Sequence, residues 1–278
     1  MRWHARHDHI QLRKGSITVG GMPAQNLWTE SQVKRALFLY FQTPFGKMHS
    51  GNPEIKALAA ELGRTPSAVA MKLTNLASLD PEITNSGRKG LAGASALDRR
   101  VWDEFHGDWT RLVVEASSPT DATASNEVGS LSPSTMPLDY EPPGGATTKP
   151  VEIEQRVGQN FFRRAVMANF DNSCCVTGIA DPRLLNASHI SPWGTDVENR
   201  HNPRNGLCLS ATFDRAFDRC LMTVTPDFKV RLSKQLLRSQ SAETSAFFAP
   251  YEGRALRKAT HLAPDEALLR RHNERLLD

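Results

Sequence analysis

Apolar residues recur at helical spacing in several stretches separated by polar or glycine-rich breaks. The first follows Trp28: "TESQVKRALFLYFQ" opens on Thr29 with Gln32 three residues later, a capping-box signature. Val33, Ala36, Leu37 and Tyr40 then repeat along one face. The next two stretches lie in "PEIKALAAELGRTPSAVAMKLTNLASLD", residues 53–80. Ile55, Leu58, Ala59 and Leu62 form one apolar stripe that stops at Gly63, and Val69, Leu73 and Leu76 form another after the polar turn "GRTPS". Helix, tight glycine turn and helix is the signature of a helix-turn-helix, whose second helix would present Ser67, Lys72 and Asn75 to duplex DNA. An ordinary helical hairpin inside an all-α bundle fits the same pattern. "ALDRRVWDEFHGDWTRLV" (96–113) predicts one further amphipathic helix, its aromatic residues packed back on that bundle.

The periodicity lapses over residues 115–150, where Ser, Thr, Pro and Gly dominate and too little apolar surface exists to offset the entropy of ordering. The pattern therefore predicts an α+β protein in four parts. These are a flexible arm (1–27), a helical helix-turn-helix-like DNA-binding domain (28–114), a disordered linker (115–150) and a C-terminal domain (151–278). In the last part "VEIEQRVGQNFFRRAVMANF" predicts a long helix and "LLNASHI" a strand ending near His189. A polar, proline-containing loop (191–204) leads to a second strand, "NGLCLS", and then to the helix "ATFDRAFDRC". That helix carries three stripes at i, i+4 spacing: Phe213 with Phe217, Asp214 with Asp218, and Arg215 with Arg219. The aromatic stripe suits a core, and the arginine stripe a solvent or phosphate face. The carboxylate stripe suits one hard cation, or simply the helix macrodipole and a pairing of Asp218 with Arg215.

Charge and composition narrow the partners. The 278-residue chain has 34 basic and 30 acidic residues and a pI near 9.0, a balance compatible with nucleic acid without requiring it. The longest apolar run, "ALFLYF" (36–41), is far short of the roughly 20 residues of a membrane span, so no membrane partner is expected. The start, "MRWHARHDHIQLRKG", has no apolar core of a secretory signal, and a cytoplasmic location is expected. His4, His7 and His9 read as part of the arm rather than as a metal site. Cys174, Cys175, Cys208 and Cys220 form no C-x-x-C pair, which favours reduced thiols over a structural zinc.

Three ordered blocks carry a resemblance. "SHISPW", "HNPRNGLCLS" and "ATFDRAFDRCL" together resemble the HNH endonuclease superfamily and its ββα-metal fold, above all the restriction-type branch. The resemblance implies a metal-dependent endonuclease hydrolysing phosphodiester bonds of double-stranded DNA in restriction or phage defence. By position it makes His189 the general base and Asn205 the residue that holds the ββ-loop and that base. Two positions depart from the family pattern. The helix histidine that serves relatives as a metal ligand is absent, with Phe213 beside its place, and the residue before the base is Ser188. Both departures direct attention to Asp214 and Asp218 as holders of one divalent cation, Mg²⁺ or Mn²⁺. Arg204 and Arg215 are candidates for phosphate contact, beside Lys72 and Asn75 on the N-terminal helices. A non-catalytic DNA-binding regulator with a decayed nuclease fold is the alternative, an RNA-directed or toxin nuclease a further one, and the reading leaves room for a homodimer.

Overall fold

The computed structural model describes residues 27–117 and 149–277; the expected arm and the bulk of the expected linker lie outside the described residues. The N-terminal part is a bundle of six helices: α1 (Glu30–Phe41), α2 (Pro53–Glu61), α3 (Pro66–Ala77), α4 (Pro81–Asn85), α5 (Ala96–Phe105) and α6 (Trp109–Ser117). The capping box forms, with Gln32 N donating to Thr29 Oγ1 and Thr29 N to Gln32 Oε1, both at 3.3 Å. Gly63, at φ 62°, ends α2: its N–H bonds Ala60 O at 3.3 Å while Arg64 N bonds Ala59 O at 2.8 Å. That paired pattern needs a left-handed residue, hence glycine. Thr65 then caps α3 and Pro66 occupies its first turn. The predicted apolar stripes are the ones that are buried, with Val33, Leu37, Tyr40, Ile55, Leu73 and Leu76 fully enclosed.

Two expectations for this bundle need correction. Residues 96–113 form two helices rather than one, broken at Gly107, whose φ of 113° no continuous helix tolerates. Lys72, expected at an exposed DNA-facing position, is 5% exposed. Its ammonium donates to Asp98 Oδ1 at 2.6 Å and lies 4.7 Å from the centre of the Trp28 ring. Asp98 is itself fully buried and caps α5 by accepting from Ser95 N. The aliphatic stem of a lysine on an apolar face, with its charge met by a buried carboxylate, explains how the position escapes the periodicity argument. Asn75 is half-buried, its amide close under Gly93.

The C-terminal part begins with α7 (Lys149–Asn169) and continues through β1 (Leu185–His189), β2 (Gly206–Ser210), α8 (Ala211–Asp218), β3 (Met222–Val224) and β4 (Val230–Leu232). Helices α9 (Lys234–Leu237), α10 (Ala242–Phe248) and α11 (Glu266–Asn273) close it. Helix α7 is built into two cores at once. Phe161 and Ala165 join the N-terminal helical core, together with Leu262, while Phe162 and Val166 face the core around β1, β2 and α8. Buried hydrogen bonds reinforce that seam. Tyr40 Oη donates to Asp80 at 2.6 Å, His261 reaches Tyr40 Oη and Thr43 O at 3.2 Å each, and Asn169 Oδ1 accepts from both His261 N and Leu262 N. All four cysteines are buried and free. Among the described residues no helix is long and apolar enough to cross a membrane.

The Lys72–Asp98 pair gives a direct expectation. Lys72→Ala leaves a fully buried carboxylate without its cation, so unfolding free energy should fall by roughly 3–5 kcal/mol in urea denaturation. A loss below about 1 kcal/mol, the range of exposed pairs, would mean that water reaches Asp98.

Candidate active site

The site is assembled on the β1–β2 hairpin and the helix that follows it. The strands pair antiparallel, with His189 opposite Gly206, Ser188 opposite Leu207 and Asn186 opposite Leu209. Alternation along β1 sends Asn186 and Ser188 toward α8 and His189 toward α7. Gly206 has a specific reason to lack a side chain. A Cβ there would come within 2.2 Å of Val166 and 3.0 Å of Phe162, so any other residue would push α7 off the hairpin. With glycine in place, Phe162 stacks on the His189 imidazole at 3.7 Å and 9° between planes, and Trp193 meets that ring edge-on at 5.6 Å.

The loop between the strands is held by Asn205, which is fully buried at the start of β2. Its Oδ1 accepts from Ser191 N at 2.7 Å, and its Nδ2 donates to Ser191 O and Asn199 O at 3.0 Å each. Asn199 is fixed in turn by Asp196 and Asn202. These bonds place the Arg200 carbonyl 3.1 Å from His189 Nε2. A carbonyl only accepts, so Nε2 carries the proton and Nδ1 keeps its lone pair. Nδ1 has no protein hydrogen-bond partner among the described residues. Burial among Phe162 and Trp193 pushes the His189 pKa down to about 4, helped by His201 and opposed by the Arg200 carbonyl.

On the other side of the cleft, α8 presents its carboxylates. Asp214 is gripped from β1, accepting from Asn186 Nδ2 at 2.6 Å and from Ser188 Oγ. Ser188, one of the two departures from the family pattern, thus orients a carboxylate. Asp218, one turn on, has its pKa raised by burial and by the neighbouring Asp214 charge. Two oxygen-donor carboxylates held close enough to repel suit a hard divalent cation that completes its shell with water and phosphate oxygens. Among the described residues no group of three or more His, Cys, Asp or Glu surrounds such a position. Phe213 is fully buried against Phe248 and Tyr251 and is core, not site.

His189, Ser188, Asp214 and Asp218 therefore line one cleft of about 750 Å³, with Asn205 buried behind it. The other predicted contacts fall elsewhere. Arg215 borders a separate apolar depression with Arg219 and Phe248, and neither it nor Arg204 lines the cleft. In their place the cleft has Gln159, Phe162 and Arg163 from α7, and His272 and Arg275 from the C-terminal end. His272 stacks on Phe217 at 3.8 Å and 1°, with its Nδ1 2.8 Å from Thr223 Oγ1, bracing the helix that carries both aspartates. No sequence signal tied these five residues to the site, because each reaches it from an element distant in the chain.

Residues 174–225 match the family model described as HNH endonuclease, an interval that contains His189, Asn205, Asp214 and Asp218. No curated protein matches the chain. The hairpin and helix that build the cleft thus form an HNH endonuclease domain at residues 174–225 of this chain.

Proposed function

We propose that this protein is a metal-dependent endonuclease that hydrolyses phosphodiester bonds of double-stranded DNA, in restriction or phage defence. The observation that carries the reading is the His189 arrangement: an imidazole that lines the cleft shared with Asp214 and Asp218, with Nε2 against the Arg200 carbonyl and no protein partner for Nδ1 among the described residues. The restriction assignment rests on the likeness of "SHISPW" and "NPRNGL" to that branch.

Hydrolysis needs an activated water in line with the leaving 3′ oxygen and cover for the charge that develops. His189 Nδ1 takes the proton of that water, and the Arg200 carbonyl steadies the imidazolium that results by accepting from Nε2. Asn205 keeps that carbonyl in place through its bonds to the loop. Asp214 and Asp218 would hold a divalent cation, Mg²⁺ or Mn²⁺, and Asn186 and Ser188 fix the direction of the Asp214 carboxylate. When bound, such a cation supplies positive charge beside the scissile phosphate and its leaving oxygen.

Plasmid cleavage with each divalent metal tests this reading. His189→Ala should slow cleavage by about 10² to 10⁴, the usual range for a lost general base; full activity would remove His189 from that role. The base works unprotonated, so the rate falls as pH drops through its pKa. The acid limb of kcat/KM should therefore sit near 4 rather than at the ordinary 6.5. Asp214→Asn and Asp218→Asn keep size and helix packing while removing charge, and titration calorimetry should show weaker Mn²⁺ binding in both. Parental affinity in both variants would leave the stripe without a metal role.

A further inference from the structure

Two arginines line the cleft from different elements, one on α7 and one just past α11. Arg163 rises from α7, one turn after Gln159, and donates Nη2 to Leu185 O at 3.1 Å, which tethers its guanidinium to the first residue of β1. Arg275 is exposed, and its charge reaches both Asp218, where it opposes the rise in pKa caused by burial and Asp214, and His272, where it adds to the lowering caused by burial. Neither guanidinium has a carboxylate partner among the described residues. The contrast lies one residue away, where Arg164 is paired with Glu54 at 2.5 Å. Electrostatics makes the walls matter. Asp214 and Asp218 by themselves repel an incoming phosphate, and within a Debye length of about 8–10 Å fixed positive charge on the walls offsets that repulsion.

We propose that Arg163 and Arg275 together clamp the phosphate backbone of DNA, each holding a phosphate next to the scissile one. The clamp rests on the nuclease reading above and places the phosphate contacts on α7 and the C-terminal end rather than on Arg204 and Arg215. A planar guanidinium suits this task because its forked donors match phosphate oxygens. Both residues act by seating the substrate and neither handles the transferred proton, so their loss should raise KM more than it lowers kcat.

The test is duplex binding by fluorescence anisotropy in chelator-containing buffer across a salt series, alongside plasmid cleavage with Mg²⁺ or Mn²⁺. Each phosphate contact contributes about 0.9 to the slope of log K against log salt. Arg163→Gln and Arg275→Gln should each reduce the slope by that amount and the double variant by twice it. Arg238→Gln, an exposed charge away from the cleft, should keep the parental slope. Arg163→Lys retains the charge and should retain most of the slope, separating the phosphate contact from the bond to Leu185. A parent that cuts DNA while both glutamine variants keep its slope and KM overturns the clamp alone. A parent that neither binds nor cuts duplex DNA overturns the nuclease reading and the clamp with it.

Discussion

Asn205 makes three hydrogen bonds across the base of the loop between β1 and β2 while fully enclosed by protein. Each satisfies a backbone group that would otherwise be stranded, and an unmet buried polar group costs on the order of 1–3 kcal/mol. The loop therefore has one low-energy arrangement. That arrangement puts the Arg200 carbonyl against His189 Nε2, which fixes the tautomer and leaves Nδ1 to accept a proton. The adjacent Gly206 completes the constraint, since only glycine lets Phe162 close over the imidazole. Asn and Gly stand side by side because one holds the loop and the other admits the helix.

The N-terminal bundle supports this geometry through α7, whose two faces belong to different cores. Moving the bundle would disturb the helix that supplies Phe162 and Arg163 to the cleft. The buried Tyr40–Asp80–His261 contacts and the Asn169 bonds join the bundle to the segment preceding α11, the helix that carries His272. Both walls of the cleft are thus anchored, directly or through a short segment, in the N-terminal half. Thr110 adds a further link, its hydroxyl lying 3.2 Å from His201 Nδ1 in the ββ-loop.

Much of this was legible in the sequence where the signal is local. Thr29 with Gln32, Gly63 with Thr65 and Pro66, and the Phe213–Phe217 stripe each settle a cap, a turn or a buried face within a few residues. The order of strand, loop, strand and helix around His189 and Asn205 was legible for the same reason. What escaped depends on partners far along the chain. Lys72 looks exposed until Asp98, 26 residues on, is placed beside it. Gly107 breaks a helix that its apolar neighbours would continue, and a lone glycine costs a helix only about 1 kcal/mol, too little to announce a break. Arg163, His272 and Arg275 have no motif at all, and only the packing of α7 and α11 brings them to the hairpin.

General-base catalysis by His189 depends on which of its nitrogens holds the proton. Long-range ¹H–¹⁵N correlation spectra of the metal-free protein between pH 6 and 8, assigned with a His189→Gln variant, read this directly. A neutral ring protonated on Nε2, unchanged across that interval, is the expected result, given a pKa pushed down to about 4 and a carbonyl facing Nε2. A ring protonated on Nδ1, or one that takes up a second proton near pH 6.5, would contradict the assignment of His189 as the base.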